Sequence, residues 1–216
     1  MPILTDDERS DLEAIGHPIR YTRGSIVLGE GEETDYALLL RKGHVKVTLG
    51  PEDRMVAIRG PGEIVGEMAS ILRESRSASV FAIADVEAVH LPARTWLEFL
   101  YAHPRVMHAI LQQTSKRLRE ATTKQADLGY LGLEQRLAKA LVELEAKIGQ
   151  PEPDGRSVRL SQTELAGLVG TSRETISQLM RALRHQGIAG TGRQKITIHD
   201  LETLRKIADG ESTAAY

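Results

Sequence analysis

Two stretches of the chain gather residue types that bind sugars and anions. Gly62-Glu63-Ile64-Val65-Gly66-Glu67 is followed, after one short segment, by Arg76-Ser77-Ala78-Ser79. Glycine lets the backbone come close to a ligand. A carboxylate accepts a hydrogen bond from a sugar hydroxyl, and an arginine beside a hydroxyl neutralises and hydrogen-bonds a single phosphate charge. Together the residues suit a phosphorylated sugar. Taken singly, each also fits an ordinary surface ion pair.

A second constellation lies in the C-terminal third. Ser161-Gln162-Thr163-Glu164 is a capping box, in which the serine oxygen takes an orphan amide and the glutamate reaches back. Leu165, Ala166, Leu168 and Val169 then form an inward face, and Gly170 stops the helix where a left-handed residue costs least. Thr171 or Ser172 caps a second helix with an inner stripe of Ile176, Leu179, Met180 and Leu183. Small residues where two helices cross and an apolar residue after the turn are the constraints of a helix-turn-helix. Arg173, Glu174, Ser177, Gln178 and Arg181 share the outer face of the second helix by spacing. Arginine pairs with guanine, and glutamate accepts from the cytosine amino group. Ser172 is placed to meet a phosphate, and Ser161 and Gln162 are counted with the DNA-facing set. The following segment, Gly187 to Ile198, reads as a basic β-hairpin whose Arg193 and Lys195 face the same partner.

These residues need elements to hold them. Between positions 20 and 92, short apolar pieces alternate with Gly29-Glu-Gly31, Lys42-Gly43, Gly50-Pro51 and Gly60-Pro61-Gly62. That rhythm predicts a β-sandwich or jelly-roll barrel. A short helix over 5–15 precedes it, with Thr5 as cap and Glu8 completing a capping box. Thr95 to Tyr101 predicts another short helix, and Pro104 opens a long one. Along that helix Met107, Leu111, Thr114, Leu118, Ala121, Gln125 and Leu128 follow each other in alternating steps of four and three. This is a coiled-coil seam, expected to pair with a second copy. Gly129-Tyr-Leu-Gly132 permits a bend and marks the hinge. A further helix is expected over 135–148, then a turn-rich loop over 149–155, and a short final helix before a frayed tail from Gly210.

Composition narrows the classes. The chain has 216 residues, 41% hydrophobic and 27% charged, with a formal net charge of −2, as expected of a globular protein. Aromatics are 4%, too few for an aromatic-lined nucleic-acid platform. There is no cysteine, which excludes disulfides, iron–sulfur clusters and thiol chemistry. No metal is expected. No apolar run is long enough to span a membrane and the N-terminus does not read as a signal peptide, so the expected location is cytoplasmic. Charge is uneven: residues 1–60 hold eight Lys and Arg against eleven Asp and Glu, whereas 156–206 hold nine against four. A basic C-terminal third points to an anionic partner. P-loop, His-Glu-x-x-His and Gly-x-Ser-x-Gly motifs are all absent, so the chain does not read as an enzyme.

The residues from Gly62 to Glu67, Arg76-Ser77-Ala78, the long helix and the segment Leu165 to Ile176 carry a resemblance. The chain resembles the cAMP receptor protein/Fnr family of bacterial transcription factors over essentially its whole length. The resemblance implies an α+β chain. Its parts are a cyclic-nucleotide-binding β jelly-roll barrel over 1–103, a dimerisation helix with hinge over 104–130, and a winged helix-turn-helix DNA-binding domain over 131–216. It implies that Gly66 and Glu67, followed by Met68, meet the ribose, and that Arg76 and Ser77, followed by Ala78, meet the cyclic phosphate. The purine is expected against the paired helices. There the family's Thr-Ser pair is replaced by Ala121-Thr122, followed by Thr123, so Thr122 and Thr123 supply the hydroxyls. Arg173 and Glu174 look like the family's base-reading pair, while Gln178 replaces a further basic residue. The implied function is a homodimeric transcription regulator, not an enzyme, with cAMP as effector, a palindromic operator related to TGTGA, and RNA polymerase as a further partner. The alternative is a regulator of the same fold that binds DNA constitutively or answers another effector.

Overall fold

The structure, a computed structural model, describes residues 4–211. The readings of the first three residues and of the tail after Glu211 lie outside them. The chain divides into two compact units, Met1–Ala121 and Thr122–Tyr216, and one long helix contributes to both.

In the first unit, α1 (Asp6–Ile15) carries the expected capping box, with Thr5 Oγ1 accepting from the Glu8 amide at 3.3 Å and Glu8 Oε2 accepting from the Thr5 amide at 2.9 Å. The strands are β1 (His17–Tyr21), β2 (Ile26–Leu28), β3 (Ala37–Lys42), β4 (Val45–Leu49), β5 (Arg54–Arg59), β6 (Ile64–Val65), β7 (Ser79–Ala82) and β8 (Val86–Leu91). A six-residue helix α2 (Glu67–Leu72) lies between β6 and β7, and α3 (Ala93–Ala102) and α4 (Pro104–Tyr130) follow β8. Two antiparallel four-stranded sheets result, ordered β1-β8-β3-β6 and β2-β7-β4-β5.

The first sheet is buried on both faces. In β3, Leu38 and Leu40 point into the space between the sheets with Val27, Val45 and Val80, whereas Ala37 and Leu39 point to Leu12, Trp96, Phe99, Val106 and Ile110 of the helices. In β8, Val86 and Ala88 take the first side and Val89 and Leu91 the second. Period-two alternation therefore puts apolar residues at consecutive positions, so Ala37–Leu40 is a continuous apolar run. The layers are helices, sheet and sheet, with β6 at a free edge.

The second unit begins within α4 and continues with α5 (Leu133–Ile148), β9 (Gln150–Glu152), β10 (Gly155–Val158), α6 (Gln162–Val169), α7 (Arg173–His185), β11 (Ala189–Gly192), β12 (Lys195–Ile198) and α8 (Leu201–Ala208). The strands form one sheet, β11-β12-β10-β9. The loop expected over 149–155 is in fact the β9–β10 hairpin; Pro151 sits in the edge strand, where a missing amide hydrogen is tolerated. The strand β1, starting ahead of the expected barrel, and the helix α2 are also additions to the sequence reading.

Candidate functional site

The first candidate site surrounds the N-terminus of α2. Gly66 caps this helix at φ +77, a left-handed conformation that strains any residue with a Cβ. A Cβ there would fall 2.7 Å from Arg76 Nη1 and 2.9 Å from Leu28 Cδ1. Gly66 and Arg76 therefore need each other: only glycine leaves room for the guanidinium, and Arg76 Nη1 donates to the Gly66 carbonyl at 2.7 Å.

Arg76 is 3% exposed. Its Nε donates to Thr34 Oγ1 at 2.9 Å and its Nη2 to the Tyr36 carbonyl at 2.8 Å, while the guanidinium lies 4.6 Å from the centre of the Tyr36 ring. These partners are neutral. Among the described residues no carboxylate comes within ion-pair distance of Arg76. Burial lowers its pKa, and Tyr36, Glu32 and Asp35 oppose that effect. Guanidinium carries five donors. Three are used, which leaves one N–H on each terminal nitrogen for an anion.

Glu67 is also buried, at 2%. Its Oε1 accepts from Arg117 Nη1 of α4 at 2.7 Å. Ser77 is exposed, and its hydroxyl approaches the Sδ of the half-exposed Met68 at 4.0 Å. Ala78 is half-buried. Of the residues expected to meet a nucleotide, Gly66, Glu67, Met68, Arg76, Ser77 and Ala78 thus surround one turn. Thr122 and Thr123 are exposed on α4, in the second unit.

Arg117, Thr34 and Tyr36 were not identified in the sequence reading. A signal for Arg117 existed. Val106, Ile110, Gln113, Arg117 and Glu120 follow each other in steps of four and three, a second stripe displaced by one residue from the coiled-coil seam. Val106, Ile110 and Gln113 are buried, so this stripe packs on the first unit's own sheet. The seam stripe stays open: Met107 is 40% exposed, Leu111 62%, Leu118 69% and Leu128 51%. The helix thus has one buried apolar stripe and one solvent-exposed apolar stripe.

The second candidate site is in the C-terminal unit. Ser161 caps α6 through the full capping box, its Oγ accepting from the Glu164 amide at 3.2 Å and its amide donating to Glu164 Oε2 at 2.8 Å. Gly170 ends α6 at φ +75. Ser172, rather than Thr171, caps α7, accepting from the Thr175 amide at 3.1 Å. Ile176, Leu179, Met180 and Leu183 are buried, and the opposite face leaves Arg173, Glu174, Gln178 and Arg181 exposed with Ser177 half-buried. The wing is the hairpin of β11 and β12, with Gly192 paired to Lys195 and Arg193 exposed at its tip. Lys195 Nζ contacts Glu152 Oε1 at 2.8 Å, and that hydrogen bond, together with one from Ser157, lowers the Glu152 pKa.

A cleft of about 490 Å³ lies between the start of α6, the start of α7 and the wing. Its walls include Ser161, Gln162, Arg173, Gly192, Gln194 and Lys195. Four of the residues expected to meet DNA therefore share one concave surface with a cation on two sides. The net positive balance of this segment favours a polyanion.

Comparisons with known proteins identify both domains of the chain. Residues 18–103 match the cyclic nucleotide-binding domain, and residues 135–207 match the Crp-like helix-turn-helix domain. The cyclic AMP receptor protein of Thermus thermophilus is 31% identical over 193 residues, covering 88% of this chain and 87% of that protein. The CRP-like cAMP-activated global transcriptional regulator of Mycobacterium tuberculosis is 30% identical over 196 residues, covering 88% of each chain. Among solved structures, a CRP/FNR family transcriptional regulator from Thermus thermophilus superposes with a TM-score of 0.77 at 26% identity, over 89% of this chain and 98% of that one. The global regulator CLP of Xanthomonas campestris, described as c-di-GMP responsive, also reaches 0.77 at 26% identity, over 88% and 97%.

Proposed function

The chain belongs to the Crp/Fnr family of DNA-binding transcription regulators, which are not enzymes, and on that premise we propose that it is a homodimer that cyclic AMP switches onto a palindromic operator. The observation that carries the reading is Arg76. A buried guanidinium with only neutral acceptors and two unspent N–H groups is a poor structural strut and a good receptor for one phosphate charge. Ser77, exposed beside it, adds a hydroxyl donor. Glu67 offers its carboxylate to the sugar. Thr122 and Thr123 are the hydroxyls offered to the purine, supplied across the dimer by the partner's helix.

The open stripe of Met107, Leu111, Leu118 and Leu128 supports the dimer. Apolar side chains this exposed in a regular four-three spacing bury best against a symmetry mate. Two recognition helices then address half-sites one helical turn apart, about 34 Å. Arg173 reads guanine and Glu174 cytosine, with Ser177, Gln178 and Arg181 beside them. Ser161, Gln162, Ser172, Arg193 and Lys195 grip the backbone. A regulator of this kind works where the DNA is, in the cytoplasm, and RNA polymerase is its natural further partner. The cyclic nucleotide acts as effector and carries no chemistry.

The test is calorimetric titration of cAMP into protein stripped of bound nucleotide, with Arg76→Ala and Arg76→Lys alongside. Wild type binds, alanine loses about a hundredfold and lysine recovers part of it. Unchanged affinity in Arg76→Ala refutes the pocket. A second reading, a regulator of the same fold with another effector, draws on the c-di-GMP responsive Xanthomonas neighbour. The same titration with cyclic di-GMP distinguishes it.

A further inference from the structure

Helix α4 holds the sheet by an unusual grip. Strand β6 has a free edge, and the Gln113 side chain occupies it: Gln113 Oε1 accepts from the Ile64 amide at 3.0 Å and Gln113 Nε2 donates to the Ile64 carbonyl at 3.1 Å. One turn on, Arg117 Nη2 donates to the same carbonyl at 2.7 Å while Nη1 reaches Glu67 at 2.7 Å. The Arg117 Nε is buried without an acceptor. The guanidinium is therefore held through its two terminal nitrogens.

What flanks it is a chain of alternating charge. Glu63 lies 3.6 Å from Arg117 and 3.8 Å from Arg59, and its other oxygen accepts from the Gly60 amide at 2.7 Å. Arg59 closes the chain against Glu120 of α4 at 3.4 Å and donates to the Ile58 carbonyl at 3.2 Å. The Arg59 side chain is only 12% exposed and that of Arg117 18%, so water screens these pairs poorly. The half-buried His44 also feels the charge of Glu63. Without Arg59, Glu63 and Glu67 would share one guanidinium and Glu120 would lose its cation, beside the site proposed for an anionic phosphate ester.

We propose that Arg59, closed against Glu120, is a positioning residue for the sugar contact: through Glu63 and Arg117 it holds the Glu67 carboxylate in the one orientation that accepts from the nucleotide. The inference rests on the reading of Glu67 as the sugar ligand. In a 3′,5′-cyclic nucleotide the 2′-hydroxyl is the only free hydroxyl on the ribose ring. A residue that acts through Glu67 therefore changes discrimination between cAMP and 2′-deoxy-cAMP. A residue that merely stabilises the fold weakens both alike.

The experiment titrates both nucleotides into full-length wild type, Arg59→Met, Arg59→Lys, Glu120→Gln and Glu67→Gln, with a thermal melt of each. Wild type favours cAMP by about tenfold or more, the scale of one hydrogen bond to a charged group. Arg59→Met compresses that ratio to about threefold or less while its affinity for 2′-deoxy-cAMP stays within about twofold of wild type. Arg59→Lys keeps most of the ratio. Should Arg59→Met fail to fold, Glu120→Gln, which leaves the inner pairs intact, carries the same prediction. If Glu67→Gln lowers the ratio and neither Arg59→Met nor Glu120→Gln does, the positioning role is refuted and the sugar reading stands. If Glu67→Gln leaves the ratio untouched, the sugar reading falls and takes the positioning role with it.

Discussion

Replacing Arg76 by methionine separates a binding role from a structural one. The substitution removes hydrogen bonds to Thr34, Tyr36 and Gly66 at 2.9, 2.8 and 2.7 Å. At about 1 kcal/mol net each, that costs about 3 kcal/mol. It also removes a charge held at 3% exposure with no carboxylate at ion-pair distance. Relieving a buried unpaired charge returns several kcal/mol. The two effects oppose each other, and methionine fills much of the vacated space. The ligand-free melting temperature should thus shift by less than about 5 °C, which corresponds to roughly 2 kcal/mol at this chain length. Nucleotide binding has no such compensation. Losing two charge-assisted donors costs about 3 kcal/mol, on the order of a hundredfold in Kd for cAMP. Differential scanning calorimetry without ligand and titration with cAMP measure the two quantities on one preparation. A fall in melting temperature of more than about 10 °C with unchanged cAMP affinity would make Arg76 a strut and refute the reasoning.

Other substitutions probe the remaining elements. Leu118→Glu places like charges opposite each other on the open stripe of α4, so sedimentation at micromolar concentration should change from dimer to monomer; a wild type that is itself monomeric contradicts the pairing. Arg173→Ala removes the proposed bidentate base contact and should abolish specific operator binding while cAMP affinity stays within about twofold; retained specificity places base reading elsewhere. Glu8, hydrogen-bonded to Arg105, has its pKa lowered from 4.5 to about 2. Because the folded value is the lower one, this carboxylate stabilises the protein above about pH 4.5, and that contribution is lost as pH falls towards 2. Glu8→Gln should therefore melt earlier than wild type at pH 6 and no earlier at pH 2; equal melting at both pH values removes the ion pair from the account.

Signals in the sequence are legible where they act within a few residues. Thr5 with Glu8 and Ser161 with Glu164 form the capping boxes expected of them, and Gly170 takes the left-handed conformation. Pro104 begins the long helix. Long-range partners were not legible. Strand β1, His17–Tyr21, is specified by pairing with β8 some seventy positions away, for instance His17 with His90. The six residues of α2 follow a left-handed glycine and are too short to show a helical period. Glu67 and Arg117 are fifty positions apart, and no spacing rule links them. On the long helix the seam is legible from its spacing, whereas the stripe through Ile110, Gln113 and Arg117, which differs from it by a single residue, shows itself as a packing face only once the sheet is in place. Thr34 and Tyr36 hold Arg76 through a side-chain hydroxyl and a backbone carbonyl, features that residue type alone does not announce.

Cyclic nucleotide binding and DNA binding are proposed to be linked in one dimer. The most direct test of this linkage is fluorescence anisotropy of a labelled palindrome with TGTGA half-sites one helical turn apart, titrated with wild-type protein stripped of nucleotide, without cAMP and at saturation. A ligand shifts such an equilibrium only by its differential affinity for the two states, and couplings of this kind amount to about 5- to 150-fold. Operator affinity should be at least about tenfold tighter with cAMP. A ratio near one, with cAMP shown by calorimetry to be bound, contradicts it.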